Sequence, residues 1–165
     1  MTNSGPVAIR PYRESDLATL LPMNNAAVPA VSELTETKFA ALIASALVCL
    51  VAEVDGRPAG FLLCLAEGQD YDSPNYAWVS RNRKRFAYTD RICVDENARG
   101  KGIGEALYRA LFDFEQDGDR TFLCEVNERP PNPGSMKFHG RLGFREIGRR
   151  DHGDKAVVYL ERTNG

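Results

Sequence analysis

The sequence predicts an α/β (α+β mixed) protein built on a central mixed sheet, and three features predict it. The run "LVCLVAEVDGRPAGFLLCLAEG" holds two β-rich stretches joined at Asp55-Gly56, a dipeptide that favours the positive-φ turn of a hairpin. From Phe86 to Asn127 a strand, a glycine-rich turn, a helix and a second strand follow in order, which predicts parallel neighbours with a right-handed crossover. Two strand-like runs around His152-Gly153 close the chain. The total is about six or seven strands flanked by about four helices.

Taken in order, "VAIRPY" reads as the first strand. "RESDLATLLPMNNAAV" offers Ser15 or Asp16 as an N-cap before apolar residues at helical spacing, with Pro22 expected to bend or end that helix early. "ELTETKFAALIASA" is a second helix, with Thr35 before Lys38 and an apolar face of Phe39, Leu42 and Ile43. After the hairpin, "QDYDSPNYAWVSRNRKR" (69–85) shows neither period and is expected to be a loop. "FAYTDRICVD" is a strand, and "IGEALYRALFDFEQDG" is a helix expected to bury Leu107, Leu111 and Phe114 on one face. "RTFLCEVN" is the next strand, and "GSMKFHGRLGF" a short helix ended by Gly143.

A chain of 165 residues has room for a sizeable core, and a single domain over 1–165 is expected. Hydrophobic residues at 43% and charged residues at 27% are the proportions of a globular protein, which argues against disorder or a fibre. A net charge of −2 and a pI near 5.7 argue against a general nucleic-acid binder, so any polyanion site must be local. The longest apolar run, Phe39 to Ala52, is too short to span a membrane and is broken by Ser45. "MTNSGPVAIRPYRESD" lacks the parts of a secretory signal, so a cytoplasmic location is expected. Cys49, Cys64, Cys93 and Cys124 each lie in an apolar strand-like run without a CxxC pair, the pattern of buried, reduced thiols rather than of a disulfide or metal framework.

The stretch "VDENARGKGIGEALYRALFDF" carries the chemistry. Gly100, Gly102 and Gly104 are expected to take backbone angles other residues avoid and to let a ligand approach the main chain. A Walker A loop is excluded because Lys101 is followed by Gly102 and not by Ser or Thr. A dinucleotide fingerprint is weak because Glu105 follows Gly104. A helix starting near Gly102 offers unpaired N–H groups and the positive end of its dipole, which favours a pyrophosphate.

Arg99-Gly100-Lys101-Gly102-Ile103-Gly104 after "ICVD" resembles the Arg/Gln-x-x-Gly-x-Gly/Ala signature of the GNAT superfamily of acyl-CoA-dependent N-acetyltransferases. Asn132, Ser135, His139, Gly143 and Phe144 occupy the places of that family's next helix and strand, and "IRPYRESDLATL" is similar to its opening. The resemblance implies acetyl-CoA or coenzyme A as cofactor, with its diphosphate on residues 99–104. It implies that the pantetheine arm lies between splayed strands, bonded by main-chain groups of Ile92, Cys93 and Val94 and reached by Asn132, Ser135 and Phe138. A backbone N–H near Cys93 or Val94 is then the oxyanion donor.

A lysine-like amine is neutral only about once in 2,500 molecules at pH 7, a penalty of about 4.6 kcal/mol, so a base or a desolvating site is needed. Glu125 in "CEVN" resembles the base of some family members, and Asp90, on the strand face shared by Ile92 and Val94, is its rival. Each also has a plain reading as an ion-pair partner. His139 stands where the family most often has a tyrosine; it is either the acid that protonates the departing sulfur or a packing residue.

Tyr71, Asp72, Tyr76 and Trp78 are candidate acceptor-site residues, with a loop packed on the sheet as the alternative. "RNRKR" reads as a solvated charge run before it reads as a phosphate site. The expected activity is acetyl transfer to a primary amine of a small molecule or peptide, by a monomer or homodimer that needs no metal, nucleic acid or membrane. A non-catalytic acyl-CoA sensor and a partner-binding module are the alternatives.

Overall fold

The computed structural model describes residues 5–163, so part of the stretch read for a targeting signal, residues 1–4, lies outside the described residues. Its elements are β1 (Ala8–Pro11), α1 (Leu17–Ala26), α2 (Glu36–Ala44), β2 (Val48–Val54), β3 (Arg57–Ala66), α3 (Pro74–Asn82), β4 (Phe86–Val94), α4 (Ile103–Phe114), β5 (Thr121–Arg129), α5 (Pro133–Arg141), β6 (Arg145–Asp151) and β7 (Ala156–Arg162). The strands form one seven-stranded sheet of order β1-β2-β3-β4-β5-β7-β6. The chain divides into two compact units, Met1–Leu65 with Asp90–Gln116, and Ala66–Thr89 with Asp117–Gly165. Among the described residues no helix is long and apolar enough to cross a membrane.

In the first unit, the β2–β3 hairpin turns on Asp55 (φ 53°) and Gly56 (φ 75°), the two positive values the dipeptide predicts. The Oγ1 of Thr35 accepts the Lys38 N–H at 3.2 Å and starts α2, whose Phe39 and Leu42 are buried. Asp16 is the N-cap residue of α1, as expected, but its side chain makes no cap bond to that helix: its carboxylate accepts the Arg13 N–H at 2.8 Å and two bonds from Arg10 at 2.7 Å each. The bonds from Arg10 hold that carboxyl below the usual carboxylate range, against the opposing effect of burial. Of the two outcomes expected at Pro22, an early end is not found: α1 continues to Ala26.

Helix α4 packs on β1 and β2 and buries Ile103, Leu107, Tyr108, Leu111 and Phe112. Phe114, expected on that face, is 53% exposed. The buried stripe is centred toward Tyr108 and Glu115, which leaves Phe114 at its edge in the last turn. What seats α4 is the absence of a side chain at Gly60 on β3. A Cβ there would lie 2.9 Å from the Cys93 carbonyl oxygen and 2.9 Å from Ile103 Cγ2.

In the second unit, β4 and β5 pair in parallel, Phe86↔Thr121, Ala87↔Phe122 and Tyr88↔Leu123. Strand β5 pairs antiparallel with β7, which pairs antiparallel with β6. The stretch 69–85, expected to be a loop, contains α3. Ser73 Oγ accepts the Tyr76 N–H at 3.2 Å and Pro74 opens the helix, a cap and first-turn pair that hydrophobic periodicity does not report. Tyr76 and Val79 are buried, and the Trp78 ring stacks on Tyr159 at 3.9 Å and 6°. Gly148 makes room for it, since a Cβ there would lie 2.5 Å from Trp78 Cζ2. Asn132 Oδ1 accepts the Ser135 N–H at 3.2 Å to start α5, and Gly143 (φ 93°) follows its end.

All four cysteines are buried and none is disulfide-bonded. Replacement of Gly60 by alanine is expected to cost about 1–3 kcal/mol through overpacking. Urea unfolding measures it, and an unchanged midpoint counts against the close seating of α4.

Candidate active site

Within the first unit, the turn between β4 and α4 brings residues 99–104 together. Asp95 ties the end of β4 to β3 through its N–H on the Ala59 carbonyl at 2.8 Å, and its Oδ1 accepts the Asn97 N–H at 2.9 Å. Gly100 (φ 80°) and Gly102 (φ 75°) are left-handed, and an added Cβ at either meets nothing within 4 Å. Backbone sign, not crowding, therefore selects glycine at both. Gly104 departs from expectation: it is the second residue of α4. The Gly102 carbonyl accepts the Ala106 N–H at 3.0 Å, so the helix begins there and its first-turn N–H groups have no intrahelical partner. Arg99 and Lys101 are exposed and Ile103 is buried.

Along β4, Asp90, Ile92 and Val94 alternate with buried Arg91 and Cys93, as the strand period predicts. Asp90 Oδ2 accepts from Arg91 Nε at 2.8 Å. Arg91 also donates to Asn24 Oδ1, the Ser32 carbonyl and Ser32 Oγ at 2.9, 3.1 and 3.0 Å, so Asp90 belongs to a buried network. Burial pushes the Cys93 thiol up to about 12.

Within the second unit, half-buried Glu125 accepts from the Tyr88 hydroxyl at 2.6 Å and from Asn75 Nδ2 at 3.2 Å. Asn75 Oδ1 accepts from the Tyr159 hydroxyl at 2.8 Å and from Arg150 Nη2 at 3.3 Å, while Arg150 Nε donates to the same hydroxyl at 3.2 Å. Burial raises the Tyr159 phenol above its ordinary range, and Arg150 pulls it back in part. Tyr88, Asn75, Tyr159 and Arg150 were not singled out in the sequence. The Ser73-Pro74 pair signals the helix that carries Asn75, and parallel β4–β5 pairing brings Tyr88 toward Glu125.

His139 is 4% exposed, with its ring edge-on to Phe138 and Phe144. Its Nδ1 lies 2.8 Å from the Ser135 carbonyl oxygen and 3.3 Å from Ser135 Oγ. A carbonyl only accepts, so Nδ1 carries the proton and Nε2 is the bare nitrogen of the neutral ring. Burial lowers the pKa below its ordinary value, against the raising effect of the Ser135 bond, so the unperturbed value assumed from sequence does not hold. Asn132 spends Oδ1 on the α5 cap, and Phe138 is half-buried.

Of the aromatic candidates, Tyr76 is a core residue: its hydroxyl donates to the Ala66 carbonyl at 2.6 Å and accepts the Gln69 N–H at 2.9 Å. Tyr71 packs edge-on to it at 5.7 Å, Trp78 lies on Tyr159, and Asp72 is exposed. In the basic run, Arg83 pairs with Glu161 at 2.5 Å and Arg85 with Asp119 at 2.8 Å. Among the described residues no group of three or more His, Cys, Asp or Glu is placed to hold a metal ion.

The acetyltransferase (GNAT) family profile matches residues 17–144. The chain belongs to that family. An uncharacterised N-acetyltransferase of Methanocaldococcus jannaschii is 34% identical over 97 residues, 58% of this chain and 38% of that protein. The chain thus matches well under half the length of that relative. The ribosomal-protein-S18-alanine N-acetyltransferase of Escherichia coli superposes with a TM-score of 0.74 at 18% identity, covering 95% of this chain and 93% of that one. The YncA protein of Salmonella typhimurium, solved with its cofactor acetyl-CoA, gives 0.73 at 16% identity, covering 98% and 95%.

A histidine whose folded pKa is lowered binds fewer protons than the unfolded chain once pH drops below about 6.5. Its contribution is therefore constant above that value and turns against the fold as pH falls toward the folded pKa. Urea unfolding at pH 7 and pH 5 should show a larger loss for the wild type than for His139→Phe; equal losses would mean the ring is not buried neutral.

Proposed function

We propose that the chain transfers an acetyl group from acetyl-CoA to a primary amine of a small molecule or peptide, by direct attack of the amine in a ternary complex. The observation that carries this is the turn: two left-handed glycines open directly into the first turn of α4, with Arg99 and Lys101 beside them. A diphosphate fits such a cradle, because small residues bare main-chain N–H groups at the positive end of a helix. Acetyl-CoA supplies the acetyl as a thioester, so that one C–N bond forms as one C–S bond breaks. Main-chain groups of Ile92, Cys93 and Val94 hold the pantetheine arm.

Glu125 takes the proton that the amine gives up. It is favoured over Asp90 because it is half-buried and held by two neutral donors, whereas Asp90 is committed to Arg91 within a buried network. Cys93 is a poor candidate for a covalent relay, since a thiol pushed up to about 12 holds almost no thiolate at neutral pH. His139 is assigned a packing role: its proton points at Ser135, and a second proton is disfavoured by burial.

Gly102→Asp should abolish acetyl-CoA binding in titration calorimetry while circular dichroism stays native, because it sets a carboxylate against phosphate. Unchanged affinity would remove the turn from the site. Glu125→Gln should lower kcat by about 10²–10⁴ with little change in acetyl-CoA affinity. Unchanged turnover would move the base to Asp90. Binding of acetyl-CoA without thiol release across a broad amine panel would instead support a sensor.

A further inference from the structure

Several arginines of the second unit pair with carboxylates: Arg83 with Glu161, Arg85 with Asp119, Arg120 with Glu67, Arg129 with Asp151 and Arg149 with Glu128. Arg150 does not. It is half-buried, its two hydrogen bonds go to neutral oxygens on Asn75 and Tyr159, and among the described residues no carboxylate pairs with it. Its Nη1 edge makes no hydrogen bond among the described residues. A guanidinium keeps its charge at any working pH and presents a planar fork shaped for a carboxylate.

Arg150 and Glu125 meet the same carboxamide from opposite ends, Nδ2 of Asn75 donating to the anion and Oδ1 accepting from the cation. The interval between the two charges is therefore spanned by a nitrogen donor and an oxygen acceptor on one carbon. An amino acid repeats that arrangement with one more bond, an ammonium and a carboxylate on adjoining atoms. Trp78, stacked on Tyr159, fixes the phenol to which both Asn75 and Arg150 are bonded, so the interval is held by packing as well as by polar contacts.

We infer that the acceptor is a zwitterion, an α- or β-amino acid whose amine faces Glu125 and whose carboxylate is taken by Arg150. This rests on the acetyl-transfer reading and narrows its substrate class. It separates free amino acids from peptide side-chain amines and from simple alkylamines, which lack a carboxylate at that spacing.

The test pairs each acid with the amine left by its decarboxylation: L-phenylalanine with phenethylamine, L-tyrosine with tyramine, and β-alanine with ethylamine. With acetyl-CoA saturating, the acid should exceed its partner in kcat/KM by about ten-fold or more, the worth of one charge-assisted contact. Arg150→Gln should shrink that ratio by a similar factor, and Arg150→Lys should restore part of it; loss of packing alone would lower both amines together and leave the ratio. An unaltered ratio in a folded Arg150→Gln, or equal turnover of acid and decarboxylated amine, overturns the inference while leaving acetyl transfer standing. If neither set is turned over, calorimetry of the same amino acids with the coenzyme A complex decides, and absence of binding overturns it. A wild-type protein that does not bind acetyl-CoA at all defeats the acetyl-transfer reading itself.

Discussion

The seat of α4 against β3 is the contact on which the first unit depends. Where Gly60 has no side chain, the Cys93 carbonyl and the first residue of α4 close in to a distance no Cβ tolerates. That approach buries Ile103 and fixes where the helix begins, so the chain leaving β4 must reverse direction in the few residues from Asp95 to Gly102. Left-handed backbone at Gly100 and Gly102 achieves the reversal. The same constraint determines the electrostatics. In a protein of net charge −2, the amides at the start of α4 and the side chains of Arg99 and Lys101 concentrate positive charge at one end of one turn.

The second unit is governed by polar satisfaction. Glu125, Tyr88, Asn75, Tyr159 and Arg150 form one connected set of hydrogen bonds, and no fully buried side-chain nitrogen or oxygen among the described residues lacks a partner. Bonds to a charged group contribute about 1.5–3 kcal/mol each, and their loss leaves the group exposed to its desolvation cost. Such a set specifies one arrangement of α3, β5, β6 and β7. A carboxylate held in this way has its orientation fixed by the fold.

How far this was legible in the sequence follows from the range of each determinant. The hairpin at Asp55-Gly56, the cap at Thr35 and the glycine after α5 depend on neighbours a few residues apart, and the chain declares them. Strand β4 and helix α4 show their periods plainly. Helix α3 does not, because only Tyr76 and Val79 are buried and the rest of the run is polar or basic; its one local sign is Ser73-Pro74. Asp16 stands at the N-cap of α1 as its place in the chain predicts, but its bonds to Arg10 are not announced locally, because Arg10 lies on the preceding strand. The bonds that Tyr88 and Asn75 make to Glu125 span 37 and 50 positions, distances over which spacing carries no message. His139 was placed correctly on its helix, yet its titration is set by Phe138, Phe144 and Ser135, which only packing assembles.

Asn75 reaches Glu125 from a helix of nine residues inserted between two strands of the sheet. The hydrogen bonds around that carboxylate therefore depend on one short segment, and exchanging it for another would redraw them while leaving the pairing of β5 with β7 in register.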